Sequence, residues 1–474
     1  MKRTLLLAAG IALAASSGCA PGVRTPRHSP ENEAAWFLKV VTNVARNHRR
    51  DEAGRKRRER AVDSCSDTAV ALRVAAPRPA GDPDEEIVWL EGAVPPGSYT
   101  GIEVSFRGAK TAALEGSLPL DDPPEPIRVD VRFLVGADAG TVVAFSLRSA
   151  VDPSTAGRFV PVFEGVPRPR PTTGLLALAS VQGWNGVALF DKRTGALAAV
   201  LPVGSAPAGL ALDPERLRAY VAVSGDDTVA VLDLLEGRVR ERVALRAGDS
   251  PRDAALTPDG RTLIVANPGS DTVSFIDPLA AIEIERVPVQ GRPASLLMDR
   301  DGRRVFVLAE RSSVVTVLSV AARTPLGSIA VETGPVRARL LGREGELILV
   351  AHAESPYLTV IDSTSLAVER RVYVGPGATA LAVDPRSRRI FLARARTGRI
   401  EVFDPTSFLP VEEIPVPAEV AWLEVESEGN GLGILLRDPA EARIVGLVGG
   451  GTSARTPLGA GPATLRFVQG GTAP

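Results

Sequence analysis

Asp271-Thr272-Val273-Ser274-Phe275-Ile276-Asp277 is one copy of a phrase that the chain repeats: a few apolar residues closed by an acid. Further copies are Val187-Ala188-Leu189-Phe190-Asp191, Val229-Ala230-Val231-Leu232-Asp233, Val315-Thr316-Val317-Leu318-Ser319, Leu358-Thr359-Val360-Ile361-Asp362 and Ile400-Glu401-Val402-Phe403-Asp404. Ile444-Val445-Gly446-Leu447-Val448 is a degenerate seventh. Their last residues lie 42, 44, 42, 43, 42 and 44 positions apart. That period, with several short strands inside it, marks a β-propeller blade and not a helical solenoid.

Four strand-like runs fit into one period. In the second they are Gly209 to Leu212, Ala219 to Val223, Val229 to Asp233 and Val239 to Leu245. Asp213-Pro214 and Ser224-Gly225-Asp226-Asp227 supply the turn chemistry between them. Seven copies of the third strand predict seven blades over residues 172–470. The first copy lacks an innermost strand, because Val166 to Thr173 is rich in Pro. Pro462 to Val468 supplies one at the far end, so the C-terminal strand is expected to close blade one and remove the exposed edges.

These units resemble the YVTN family of bacterial seven-bladed propellers. Tyr220-Val221-Ala222-Val223 and Leu263-Ile264-Val265-Ala266-Asn267 stand where that family has its signature, and the phrase at Asp271–Asp277 follows it. The resemblance spans about 300 residues. It implies the fold; its relatives include binding proteins, lactonase-like enzymes and haem-bearing reductase domains, so it leaves function open.

Upstream, residues 62–165 read as a small β-sandwich. Thr68 to Val74, Ile87 to Leu90, Gly101 to Phe106, Ile127 to Leu134 and Thr141 to Leu147 are short, β-branched or aromatic, and bounded by Gly, Pro or Asp. Val94 to Ile102 is similar to a segment of a carbohydrate-binding-like sandwich of bacterial lipoproteins. The fold class is therefore all-β: a seven-bladed β-propeller preceded by a small β-sandwich domain.

The N-terminus carries an address. Met1-Lys2-Arg3 is basic, Leu5 to Ala15 is apolar but too short to span a bilayer, and Ser16-Ser17-Gly18 precedes Cys19. This resembles a lipobox, with Ser16 at the place of the usual Leu. Residues 1–18 are then a lipoprotein signal peptide and Cys19 the lipidated mature N-terminus; the alternative is ordinary cleavage near Ala20. A tether with a basic segment fills 19–61, in which Trp36 to Val44 fits either a helix or a strand. Arg46 to Arg60 reads either as a patch for anionic headgroups or cell-wall polymer, or as a solvated loop. The expected location is the bacterial cell envelope, lipid-anchored, at the outer membrane or a periplasmic face.

With 55 basic and 56 acidic residues, the chain has no overall charge to attract a nucleic acid. Two Cys and three His argue against zinc clusters and haem attachment. His352 is the sole His of the repeats, and no Walker loop or Trp-rich cofactor-docking motif occurs, so no cofactor, metal or catalytic set is expected. Loops before inner strands and loops between second and third strands gather at one mouth of a propeller. The first set brings Arg252, Asp253, Arg292 and Arg337 there. The second brings Trp184, Asp227, Asn267, Glu310, His352, Arg394 and Arg437. Converging arginines suit carboxylates and phosphates, and Trp184 suits stacking on a sugar. The expected role is non-catalytic capture of a protein or glycan partner. The alternatives are a lactonase-like hydrolase using His352, Arg337 and Glu354 at the mouth, or a structural surface-layer component.

Overall fold

Each repeat period folds into one four-stranded antiparallel sheet in a computed structural model of the chain, and seven such sheets are present. The structure describes residues 176–426, 430–447 and 451–468 with their side chains, together with backbone strands between residues 4 and 165. The chain divides into two compact units, Met1–Pro169 and Arg170–Pro474.

The second unit is the seven-bladed propeller. The inner strands of blades 2 to 7 are Pro207–Asp213, Asp253–Leu256, Pro293–Met298, Pro335–Leu341, Ala378–Val383 and Val420–Val425. Blade 1 takes Pro462–Phe467 as its inner strand, paired antiparallel with Leu176–Val181. Every inner strand lies against the next, and the last meets the first. Ser180 fixes this closure. Its hydroxyl accepts the backbone N–H of Thr464 at 3.1 Å and donates to the Ala208 carbonyl of blade 2 at 2.5 Å.

Apolar packing between neighbouring blades holds the ring. Second and third strands are buried on both faces, as in Leu176–Val181 and Thr228–Asp233, which is why they read as unbroken apolar runs. Outer strands such as Arg238–Ala244 alternate toward solvent. One cluster joins blades 1 and 2 through Leu189, Leu201, Leu210 and Val221. An equivalent cluster joins blades 6 and 7 through Phe391, Val402, Leu423 and Ile434.

The acid that ends the repeated phrase is a turn cap. Asp191 Oδ1 accepts the N–H groups of Arg193 and Thr194 at 2.8 and 2.9 Å. Asp277 does the same for Leu279 and Ala280, and Asp404 for Thr406 and Ser407. A short side chain that accepts from the backbone two and three residues on is the chemistry of an Asx turn. The period of the sequence is therefore the period of this turn.

In the first unit, one sheet has the order Arg158–Gly165, Thr141–Asp152, Thr4–Gly10, Glu86–Ala93. A second runs Ala69–Arg73, Phe37–Thr42, Gly97–Ser105, Ile127–Val129, with Phe133–Val135 also paired to Gly97–Ser105. The segment open to helix or strand forms the strand Phe37–Thr42, inside what was expected to be tether. The single strand expected over Ile127 to Leu134 is two. Cys19, the start of the tether and the basic run 46–60 lie outside the described residues.

Candidate functional site

At one end of the ring the inner strands begin around a cavity of about 420 Å³. Four arginines line it, Arg252, Arg292, Arg337 and Arg437, with Asp253 as the one carboxylate among the lining residues. Gln182, Ser224, Ser250 and Thr464 add polar groups, and the Trp422 ring forms part of the lining.

The four arginines differ in their partners. At the rim, Arg252 pairs with Glu310 at 2.9 Å and Arg437 with Glu419 at 3.1 Å; both arginine side chains are about half exposed. Deeper, Arg337 reaches the Ser295 hydroxyl and its neighbour's Val336 carbonyl at 3.3 and 3.2 Å, both neutral acceptors. The Nε atoms of Arg292 and Arg337 are buried without an acceptor among the described residues. Asp253 does not neutralise them by direct pairing. Its Oδ1 accepts the Ala254 N–H at 2.9 Å, and its Oδ2 accepts the Leu296 N–H at 3.0 Å.

Below the cavity the channel is plugged. Trp422 from blade 7 is 2% exposed and has three guanidinium groups around it. Arg337 lies 4.3 Å from the ring centre, Arg466 4.8 Å and Arg339 5.4 Å. Glu424 ties the group together: it pairs with Arg466 at 2.7 Å, lies 3.8 Å from Arg339, and accepts the Trp422 indole N–H at 3.2 Å. Burial pulls the Arg337 guanidinium down to about 10; Asp253 opposes that, while Arg339, Arg252 and Arg466 add to it. Arg339 is lowered for the same first reason, with Glu424 opposing. At about 10, Arg337 stays charged at neutral pH, so the cavity floor carries positive charge.

Of the residues expected at the mouth, Arg252, Arg292, Arg337 and Arg437 line the cavity, and Glu310 stands beside it on Arg252. The others are placed differently. Trp184 is 2% exposed and packs under Gly459, where a Cβ would come within 2.2 Å of the indole Nε1, so it has no free face for a sugar. Asp227 adopts a left-handed conformation, with φ of 50°, and binds the N–H groups of Gly248 and Ser250 at 2.8 and 2.7 Å. It staples one loop to the next, as Asn185 and Asp271 do in their blades. Asn267 is fully buried and donates to the hydroxyls of Thr272 and Ser274. Arg394 is paired with Glu401. His352 is 1% exposed, with Nδ1 2.9 Å from the Tyr357 carbonyl, whereas Glu354 is exposed, so the trio with Arg337 does not gather on the cavity.

Sequence reading missed Trp422, Glu424, Arg339 and Arg466. The signal was there. Arg337-Ala338-Arg339 and Trp422-Leu423-Glu424 place large polar or aromatic side chains at period two on strands that otherwise carry small or apolar ones. Among the described residues, no three His, Cys, Asp or Glu side chains gather in a metal-binding group.

A family model for YNCE-like beta-propellers matches residues 181–292. None of the curated proteins matches the chain. Among solved structures, hydrazine synthase of Kuenenia stuttgartiensis is 18% identical, with a TM-score of 0.50 over 54% of this chain and 88% of that one. The dihydro-heme d1 dehydrogenase NirN, in complex with DHE, is 15% identical, with a TM-score of 0.52 over 64% and 77%. A functionally unknown protein from Desulfotomaculum acetoxidans DSM 771 is 13% identical, with a TM-score of 0.54 over 61% and 98%. At such identities the likeness is one of fold: the chain carries a seven-bladed β-propeller.

Proposed function

We propose that the protein is a YVTN-like envelope lipoprotein, anchored through Cys19 and carrying a β-sandwich domain before its propeller. Its propeller mouth captures an acidic glycan or an acidic protein segment without chemical turnover. One observation carries this reading: four arginines line a cavity in which the lone carboxylate spends both oxygens on backbone amides. Guanidinium groups in a partly dry recess bind carboxylates or phosphates through charge-assisted, often bidentate bonds. Nucleic acid is left out as a partner because the chain has no net positive charge to draw it.

Binding of polygalacturonate and of poly-glutamate to the purified protein tests the reading. Charge reversal at the rim, Arg252→Glu with Arg437→Glu, is expected to abolish capture. Lactone turnover that disappears in Arg337→Ala would overturn it in favour of a hydrolase.

The anchor has its own test. Processing at Cys19 removes the strand Thr4–Gly10 from its sheet, where it pairs with Thr141–Asp152 and Glu86–Ala93. Intact mass of the protein from membranes decides the matter. A lipid-modified chain beginning at Cys19 is expected, and a chain still beginning at Met1 would refute the anchor.

A further inference from the structure

The rim and the depth of the mouth are built differently, and the difference names a ligand. Rim arginines already hold carboxylates of this chain, Glu310 and Glu419. Among the described residues, no acceptor meets the buried Nε of Arg292. Among the described residues, Arg337 meets only the neutral acceptors Ser295 and Val336, and its Nε is likewise without an acceptor. Buried donors left without acceptors cost on the order of 1–3 kcal/mol each, more when charged, so an acceptor brought in from outside is strongly favoured.

The floor sets the size of what enters. Trp422, with Arg337, Arg339 and Arg466 stacked about it, closes the channel beneath the cavity. A polymer cannot thread through, so one end group alone reaches the inner arginines. A volume of about 420 Å³ suits a small molecule or the terminal unit of a larger one.

We propose that Arg292 and Arg337 form a subsite for one compact oxyanion, a carboxylate or a phosphate, seated on the Trp422 floor of the mouth cavity. Their guanidinium groups supply charge-assisted N–H bonds of the kind that hold an oxyanion. Ser250 and Thr464, which also line the cavity, stand near as hydroxyl partners. This subsite deepens the mouth-capture reading and rests on it: the partner's acidic end group is what the depth recognises.

Isothermal titration of the full-length protein at low ionic strength tests the subsite, with D-glucuronate, inorganic phosphate and neutral D-glucose as probes. Saturable binding of glucuronate or phosphate, and none of glucose, is expected. If glucuronate alone binds, the end group is a uronate; if phosphate alone binds, it is a phosphoryl group. Arg292→Gln is expected to weaken binding at least tenfold. Arg261→Gln, an equal loss of charge on an exposed turn away from the cavity, is expected to leave it within twofold. Arg337→Gln is a second probe, read only where its circular dichroism matches the parent. Failure of both anions to bind, or equal weakening by Arg292→Gln and Arg261→Gln, would overturn the subsite. If polygalacturonate still binds while neither small anion does, the subsite alone falls; if nothing binds, the capture reading falls with it.

Discussion

The Arg337 guanidinium stacks 4.3 Å from the centre of the Trp422 ring, and this contact joins blades 5 and 7 across the channel. Arg339 and Arg466 share the same indole, so one side chain holds three cations in place. Removing it leaves a void and three like charges with a weaker counterweight. Trp422→Ala is expected to lower stability by about 3–5 kcal/mol, the range for truncating a buried aromatic. Trp422→Phe, which keeps a ring face, should lose clearly less. Urea denaturation midpoints of the two variants compare them.

A second ion pair is buried between blades 2 and 3. Asp249 is fully buried and receives both terminal nitrogens of Arg286, each at 2.7 Å. Burial pushes the Asp249 carboxyl up, but the bonds from Arg286, Ser270 and Arg246 outweigh it and leave it below its ordinary 3.8. Its stabilising contribution is complete above that ordinary value and is lost as pH falls below it. At neutral pH, Asp249→Asn is expected to cost about 3 kcal/mol, the low end for breaking a buried pair, because Glu283 still holds Arg286. Chemical denaturation at neutral pH measures this cost. A loss below 0.5 kcal/mol, on the order of a surface pair, would contradict it.

His352 predicts a pH dependence. Burial pulls its imidazole below the ordinary 6.5, with the Tyr357 carbonyl and Glu332 opposing. Between those two values the unfolded chain binds a proton that the folded chain refuses, so stability rises with pH there. The contribution is complete above 6.5 and drains away as pH falls beneath it. Melting temperatures measured from about pH 7.5 to 5.5 should therefore decline, and decline less in His352→Gln. Parallel curves for the two proteins would contradict this.

Gly209 tests how tightly the mouth is drawn. A Cβ there would sit 2.5 Å from the Asp253 Cα and 2.8 Å from the Arg252 carbonyl oxygen, which accepts the Gly209 N–H. Backbone cannot yield as a flexible side chain does. Gly209→Ala is expected to cost about 1–3 kcal/mol and to weaken anion binding by displacing Arg252. Calorimetric melting and the glucuronate titration read the two effects.

The blades were legible because one turn repeats. Asp191, Asp277 and Asp404 cap their own turns, and local chemistry of that kind leaves a period in the sequence. Closure was legible as well, since Pro462–Phe467 is a strand with no blade of its own beside a first repeat that lacks one. The mouth was legible only in part. Loop position pointed to Arg252 and Arg292, but it pointed equally to Asp227, which binds the backbone of the next loop, and to His352, which is buried. A loop's sequence does not say which of its polar groups the backbone needs. The plug at Trp422 escaped notice because its members lie on three strands far apart in the chain and meet only once the ring closes.

That closure also imposes an order of events on biosynthesis. Ser180 waits 284 residues for Thr464. Until the last strand has emerged, blade 1 shows an unpaired inner edge and the channel lacks Arg466, so neither the ring nor its floor exists. An exposed strand edge is a template for pairing with other chains. A nascent chain stalled before Pro462 is therefore a seed for aggregation, whereas the strand pair Leu176–Val181 with Pro462–Phe467 forms only once blades 2 to 7 between them have been made.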